Sequence, residues 1–436
     1  MKLILKYIAF LGLALVALAA CNTDKLDYPD AYKVADGIPV VKSIRYANTD
    51  TYITQAYMNE TVCLLGDNLR SVTQLWFNDQ KATLNTSYIT DNTLLVSVPK
   101  NYPQKRTDKI YLITKNEADT VKYDFVVLPP LPNVASMSNE WAAVGEEVTI
   151  YGDYFIDDTS SPVVISFPGA DVPHADMTFD GSSSVTFKVP AGALPGYVSV
   201  KTMSGTSRSK FMYKDSRNIL FDWDGSRGGH AIGQGWRNGS KVHRTPGSDP
   251  FPAIDGNYIC FQGKEVGPGA SDVWDEDNLS FNYWPTPGDP LKGELSLRPE
   301  FARLIEDYGI GGLQIKFEAL VNTPWTNVGL QLVFTSNADV TMAAATNAYF
   351  GNVSIARGIW EPWVSAGGSF DTAGKWITVS IPLSDFNKKP NGTASESTLK
   401  ADSLTGLSFF LWYGTSSGTK CTPTIAIDNI RVIPIG

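Results

Sequence analysis

The apolar residues of this chain come in short runs that alternate with polar residues and stop at turn-forming residues. The alternation is cleanest over residues 313–320, 328–334 and 376–383. Because successive side chains of a strand point to opposite faces, each such run predicts a strand with one buried face. Gly, Pro, Asn and Asp separate the runs, as is typical of strands joined by turns. The pattern predicts an all-β protein.

The first half of the chain contains one strand pattern twice, about 90 residues apart. Residues 60–66 (ETVCLLG) match 146–152 (EEVTIYG), and residues 94–99 (LLVSVP) match 185–190 (VTFKVP). A repeat of this length indicates tandem domains and not a solenoid. The repeat and its strand spacing predict two β-sandwich domains.

These two sandwiches are expected at residues 37–128 and 131–215. The proline-rich run PPLP at 129–132 separates them, since proline fixes φ and cannot donate to a sheet.

The last part of the chain, residues 216–436, has strands joined by longer loops rich in Gly and Asn. It predicts a jelly-roll-like β-sandwich. One helix is expected within it, beginning at Pro299, with apolar residues at helical spacing, and ending at Gly309.

Residues 1–21 are typical of a lipoprotein signal. Two lysines precede a short apolar run, and Leu-Ala-Ala-Cys follows. This motif resembles the bacterial lipobox, so we expect cleavage before Cys21 and lipidation of Cys21. Acyl chains would then anchor the mature protein to a bilayer that it does not span. The polar residues 22–36 are expected to form a tether.

Charge narrows the choice of ligand. The net charge is -9 and the sequence shows no basic stripe, whereas nucleic-acid binding requires clustered Lys and Arg. The composition therefore argues against nucleic acid.

Aromatic residues concentrate where a ligand site is expected. Nine of the eleven Trp lie in residues 215–436, and the run at 273–285 (VWDEDNLSFNYWP) mixes aromatic residues with acids and amides. A flat ring flanked by hydrogen-bonding groups suits the apolar face of a sugar. If the segment is extended, Tyr283 and Trp284 point to opposite faces, so one of them is expected to face solvent. The candidate glycan-binding residues are Tyr283, Trp284, Trp236, Trp274, Trp325 and Trp363.

A glycoside hydrolase is the main alternative. It would need two carboxylates on opposite sides of the scissile bond. Acids lie near the aromatic run, at Asp272 and residues 275–277, but nothing in the sequence separates them from solvated loop acids. The histidines lie away from any nucleophile motif. We predict no enzymatic activity.

No cofactor is predicted, although the run Asp222-Trp223-Asp224-Gly225 looks like the start of a calcium loop. The other ligands of an EF-hand do not follow it. A structural Ca²⁺ held by acids from several loops stays open, as does a disulfide between Cys260 and Cys421.

Several motifs together resemble the surface glycan-binding protein B family. They are the lipobox, the acidic tether, VADGIP at 34–39, the tandem repeat, WEPW at 360–363, FDT at 370–372, WITVSIPLSDF at 376–386 and IDNIRV at 427–432. The resemblance covers the mature chain.

It implies two IPT/TIG domains followed by a carbohydrate-binding domain of the xyloglucan-binding type. The ligand would be a β-glucan-type polysaccharide, such as xyloglucan or mixed-linkage glucan, captured by Tyr283 and Trp284 among other residues.

The resemblance also implies a cellular location and binding partners. The protein would be lipid-anchored in the outer membrane, face the cell exterior, and pass its glycan to an outer-membrane importer and that importer's lipoprotein. A third interpretation stays open, in which the chain is an adhesin-like spacer that binds another protein. Trp and Tyr are also favoured at protein interfaces, so composition does not exclude it.

Overall fold

The computed structural model describes residues 32–116, 120–225, 241–268, 275–285, 293–336, 352–412 and 419–436. The chain divides into two units, Met1–Pro130 and Leu131–Gly436. One β-sandwich lies in the first unit and two lie in the second. The all-β prediction is confirmed.

The first sandwich is built from nine strands in the described part of the first unit. They are β1 (Val40–Tyr46), β2 (Gln55–Tyr57), β3 (Thr61–Asp67), β4 (Gln74–Phe77), β5 (Gln80–Lys81), β6 (Thr93–Ser97), β7 (Lys109–Ile113), β8 (Val121–Asp124) and β9 (Val126–Leu128). One sheet has the order β1-β3-β6 and the other β5-β4-β7-β8, while β2 and β9 pair in parallel. The alternate apolar residues of these strands form one core.

The second sandwich repeats this plan. Its strands are β10 (Asn133–Met137), β11 (Glu147–Asp153), β12 (Val164–Phe167), β13 (Ala170–Asp171), β14 (Thr178–Asp180), β15 (Ser184–Lys188), β16 (Gly196–Thr202) and β17 (Gly205–Tyr213). The two sheets have the orders β10-β11-β15-β14 and β13-β12-β16-β17.

The glycine that ends each repeated motif has the same structural role in both sandwiches. A Cβ on Gly66 would lie 1.8 Å from the carbonyl oxygen of Val40, and one on Gly152 would lie 1.8 Å from that of Asn133. The register of the neighbouring strand shifts beside each glycine. Such a bulge brings the two backbones too close for any side chain, which explains why glycine recurs.

The third sandwich follows from residue 219. Its strands are β18 (Ile219–Phe221), β19 (His243–Arg244), β20 (Tyr258–Phe261), β21 (Ser280–Tyr283), β22 (Leu313–Val321), β23 (Leu330–Thr335), β24 (Gly358–Trp360), β25 (Ile377–Pro382), β26 (Gly406–Leu411) and β27 (Ile425–Pro434). A six-stranded sheet has the order β19-β20-β27-β22-β25, with β18 also paired to β27. A four-stranded sheet has the order β21-β26-β23-β24.

The α-helices of the described chain are short and lie in the third sandwich. They are α1 (Glu276–Leu279), α2 (Pro299–Tyr308) and α3 (Pro362–Ser365). Single 3₁₀ turns occur at Leu69–Ser71, Thr86–Tyr88, His174–Asp176, Leu295–Leu297, Ile310–Gly312, Leu383–Asp385 and Ala401–Ser403. Helix α2 has the predicted limits: Pro299 is its first residue, and Gly309, at φ 63°, ends it. No helix in the described ranges is long and apolar enough to cross a bilayer.

Buried charges join the second sandwich to the third. Glu140, which follows β10, contacts Lys316 Nζ at 2.5 Å and Arg431 Nη2 at 2.9 Å. Arg431 also donates to both carboxylate oxygens of Glu318, at 2.8 and 3.0 Å. All four side chains are buried. Each of these four charges therefore has an opposite charge in contact, which offsets the cost of burying it.

Candidate functional site

The four-stranded sheet of the third sandwich has two chemically different faces. Its inner face is apolar and packs in the core against the six-stranded sheet. We call the opposite side the outer face. It carries Ser280, Asn282, Gln331, Val333, Ser408 and Phe410. All six side chains are buried, so the outer face is itself covered, and only residues at its edge can reach a glycan.

An aromatic cluster lies on this face. Trp284, Val333, Ile355 and Phe410 pack together, and Trp412 packs against them. Trp284 is buried and donates from Nε1 to Ser408 Oγ at 3.2 Å. Trp412, which follows β26 directly, is partly exposed. Within the cluster, Trp412 is therefore the partly exposed aromatic residue, although it also packs against the main apolar core.

Buried hydrogen bonds fix the position of Trp412. Gln331 Nε2 donates to the backbone carbonyls of Trp412 and Pro390, both at 2.7 Å. The Gln331 Oε1 atom accepts from Arg357 Nη1 at 3.0 Å, and Arg357 Nη2 donates to the Asn352 carbonyl at 3.0 Å. Each of these side chains is held in one orientation, so the strand end that carries Trp412 is preorganised.

A small cleft adjoins the cluster and shares Ile355 with it. Its volume is about 210 Å³, and it is lined by Phe334, Ser336, Ser354, Ile355, Ala356, Ser397, Thr398, Leu399, Lys400, Asp402 and Ser403. The lining combines apolar side chains with hydroxyl groups, one cation (Lys400) and one anion (Asp402). The cleft is smaller than the pockets of about 300–1,000 Å³ that enclose drug-sized ligands. Its dimensions and chemistry suit a single sugar ring.

The predicted pair Tyr283 and Trp284 is buried on both sides, so the expectation that one of the two faces solvent is wrong. Their side chains do point to opposite faces, but both faces are covered there. Tyr283 packs against Phe221 in the core, with ring centroids 5.3 Å apart, and donates its hydroxyl to the Gly293 carbonyl at 2.6 Å. Trp284 is covered in the cluster with Ile355. Sequence alternation gives the direction of a side chain but not what covers it.

Trp325 and Trp363 are also buried, contrary to the expectation that they are presented to a ligand. Their ring centroids lie 4.7 Å apart, and Trp360 packs against Trp325 at 5.3 Å. Trp325 Nε1 donates to the carbonyls of Asn327 and Val328. Loop-like flanking sequence suggested exposure, whereas these loops fold inward and their rings fill the core. The other candidates, Trp236 and Trp274, and the lipidation residue Cys21 lie outside the described residues.

The acids near the aromatic run have a structural role where the structure describes them. Asp275 is the N-cap of α1 and accepts from the amides of Asp277 and Asn278. Burial opposes ionisation, but hydrogen bonds from Asn278 and the charge of Lys264 outweigh it and lower the pKa of Asp275. A glycosidase acid needs a raised pKa. Asp275 therefore does not fit that role.

Glu318 has a raised pKa but cannot reach a substrate. Burial raises its pKa to about 7, against the opposing effect of Arg431. Its side chain is completely buried and contacts Arg431. A polysaccharide has no access to this carboxyl group.

A metal site and a disulfide are two features that the sequence leaves open. Within the described ranges, no three His, Cys, Asp or Glu side chains converge to hold a metal ion. Cys63, Cys260 and Cys421 are free thiols, so Cys260 and Cys421 form no disulfide in this structure.

Sequence reasoning did not select the groups that line the outer face. Gln331 alternates with apolar neighbours along β23, and Trp412 alternates with Phe409 and Leu411 along β26. That alternation places both on the non-core side. Arg357 and the cleft hydroxyls come from loops, and no local pattern marks them.

Comparison with known proteins shows similarity in both family and fold. The family described as surface glycan-binding protein B xyloglucan binding domain matches residues 213–434. The crystal structure of the surface glycan-binding protein PbSGBP-B from Prevotella bryantii is similar, with 34% identity and a TM-score of 0.76 over 92% of this chain and 100% of that chain. An IPT/TIG domain-containing protein from Bacteroides ovatus is 22% identical over 99% of this chain and 100% of its own length.

Proposed function

Because the chain belongs to the surface glycan-binding protein B family, we propose that its third sandwich captures a β-glucan-type polysaccharide, such as xyloglucan or mixed-linkage glucan, at the cell surface. The supporting observation is the family match over residues 213–434, which includes every described strand of that sandwich, β18 to β27. The protein acts by binding and not by catalysis.

Within the sandwich, the proposed contact surface is Trp412 with the neighbouring cleft. Covering one indole face removes about 80–100 Å² of apolar surface from water, which contributes about 2 kcal/mol. Association costs at least about 4 kcal/mol, so hydrogen bonds from the cleft hydroxyls must add to the ring contact. A single site is then of modest affinity. Repeated sites along one polymer raise the avidity on a cell that carries many copies.

The rest of the chain would hold this sandwich away from the cell. In the proposed arrangement, lipidated Cys21 anchors the protein in the outer membrane, residues 22–36 form the tether, and the two immunoglobulin-like domains act as spacers. The glycan would pass to an outer-membrane importer and its lipoprotein partner. The lipobox and the acidic residues after it support this part of the proposal.

Affinity electrophoresis of the mature chain tests the binding site. Xyloglucan or mixed-linkage glucan in the gel should retard the wild type, whereas mannan and starch should not. We expect Trp412→Ala to weaken binding about thirtyfold, the equivalent of about 2 kcal/mol. Trp76→Ala is the matched control, because it removes a partly exposed Trp of the first sandwich. Unchanged retardation of Trp412→Ala would remove the proposed site.

Failure of the wild type to bind any β-glucan would remove the proposed ligand class. Long incubation with the same polysaccharides separates binding from hydrolysis, since we expect no release of reducing sugar. Steady release would support the hydrolase alternative.

A further inference from the structure

The acidic turn at Asp222-Trp223-Asp224-Gly225 meets the last strand of the third sandwich. Strand β18 leads into this turn and pairs with β27, where Phe221 lies opposite Ile430. Asp224 Oδ1 accepts a hydrogen bond from the backbone amide of Asn257 at 2.7 Å. The segment that precedes β20 therefore also contacts this turn. Because β18 and β27 are antiparallel, the turn that continues β18 runs beside Asp428 and Asn429.

Asp428 is completely buried on β27. Its Oδ1 accepts from the Asn429 amide at 2.7 Å, but its Oδ2 has no hydrogen-bond partner among the described residues. A buried carboxylate is costly unless a positive charge or hydrogen bonds compensate it.

Asn429 provides a second observation. It adopts a left-handed conformation at φ 50°, where the register of β27 against β22 shifts. Its side chain is completely buried, and neither Oδ1 nor Nδ2 has a hydrogen-bond partner in the described chain. Buried amides are almost always hydrogen-bonded, so this one indicates a further binding partner.

The buried cations on this side of the sheet do not neutralise Asp428. Lys316 contacts Glu140, and Arg431 contacts Glu140 and Glu318. These two cations are therefore matched by two acids. Neither of them therefore compensates Asp428.

We propose that Asp224, Asp428 and the Asn429 amide oxygen bind a structural Ca²⁺ ion. All three groups are oxygen donors, which suit Ca²⁺ and not the softer metals that prefer His and Cys. Because no three acids converge among the described residues, backbone carbonyls and water would complete the shell of about 6–8 oxygens. The ion would tie the end of the first strand of the sandwich to its last strand. It would stabilise the fold without touching the glycan.

Thermal unfolding of the full mature chain, stripped with EDTA, tests the site. For a Kd of about 0.1 mM, typical of the tighter extracellular Ca²⁺ modules, 10 mM Ca²⁺ should raise Tm by about 5–10 °C. Mg²⁺ should raise it less, because Mg²⁺ demands a regular octahedral shell. Asp428→Asn and Asp224→Asn should lose most of the Ca²⁺-dependent shift. The exposed Asp371→Asn control should keep it.

Terbium luminescence provides a direct measurement on the wild type, in case a variant fails to fold. Trp223 lies between the two acids of the turn, so its excitation should sensitise bound Tb³⁺, and Ca²⁺ should displace the signal. Absence of both the Tm shift and Ca²⁺-sensitive Tb³⁺ emission in the wild type would overturn the proposal. A Ca²⁺ shift of equal size in all three variants would place the ion elsewhere and overturn it too.

Discussion

The tryptophans of the third sandwich have two roles that their local sequences do not distinguish. Trp223, Trp325 and Trp363 fill the core. Trp412, at the end of β26, keeps part of its ring exposed and is held by Gln331 through the backbone. Residue type predicts the chemistry of a ring, whereas its surroundings decide whether a ligand can reach it.

His243 shows how surroundings also determine acid sensitivity. Both ring nitrogens are buried and have no hydrogen-bond partner among the described residues, and the ring packs edge-on against Phe281. Burial lowers the pKa of His243 to about 4. Unfolded histidine binds a proton below about pH 6.5. The unfolded state therefore takes up a proton first as pH falls, so stability decreases from about pH 6.5 to about pH 4.

Urea unfolding at a series of pH values measures this effect. We expect His243→Gln to show a shallower loss of stability than the wild type between pH 6.5 and 4. His174→Gln removes an exposed histidine of the second sandwich and should retain the part of the loss that depends on His243. An identical slope in the wild type and His243→Gln would contradict the assignment.

At the scale of single elements, the strand alternation, the repeated motifs and the limits of α2 all follow from local sequence. The glycines at the ends of the two repeated motifs can be read in the same way. Each glycine allows two backbones to approach closely at a bulge. Any other residue would place its Cβ against the carbonyl oxygen of the neighbouring strand.

We expect Gly152→Ala to destabilise the second sandwich by about 2–3 kcal/mol, because the new methyl group would overlap the Asn133 carbonyl and force β10 away. Gly311→Ala is the control, since a Cβ there meets no atom within 4 Å. That variant should change stability by less than about 0.5 kcal/mol. Chemical denaturation compares the two, and equal effects would show that the close approach is not what requires glycine.

At the scale of the whole molecule, the contact between the second and third sandwiches depends on Glu140. This carboxylate neutralises Lys316 and shares Arg431 with Glu318 in a buried environment. The backbone amide of Glu140 also bonds Thr378 Oγ1 at 2.7 Å. The second immunoglobulin-like domain therefore contacts the third sandwich through residues that are far apart in the sequence.

Removing this charge should cost more than removing a surface charge. We expect Glu140→Gln to lower the free energy of unfolding by about 3–5 kcal/mol, because it leaves buried cations incompletely paired. Glu147→Gln breaks the exposed pair with Lys375 and should cost less than about 1 kcal/mol. Differential scanning calorimetry provides the measurement. Comparable losses in the two variants would mean that the buried network does not stabilise the contact.

The sequence by itself determined the all-β class, the tandem repeat, the limits of α2 and the resemblance to a glycan-binding family. These features depend on residues close together in the chain, where periodicity and turn chemistry act directly. Only the tertiary structure decided which rings are covered, that Gln331 and Arg357 support Trp412, and that the turn after β18 runs beside Asp428. The exposure of a side chain and the pairing of charges depend on contacts between segments that are far apart in sequence. A local sequence pattern therefore cannot predict them.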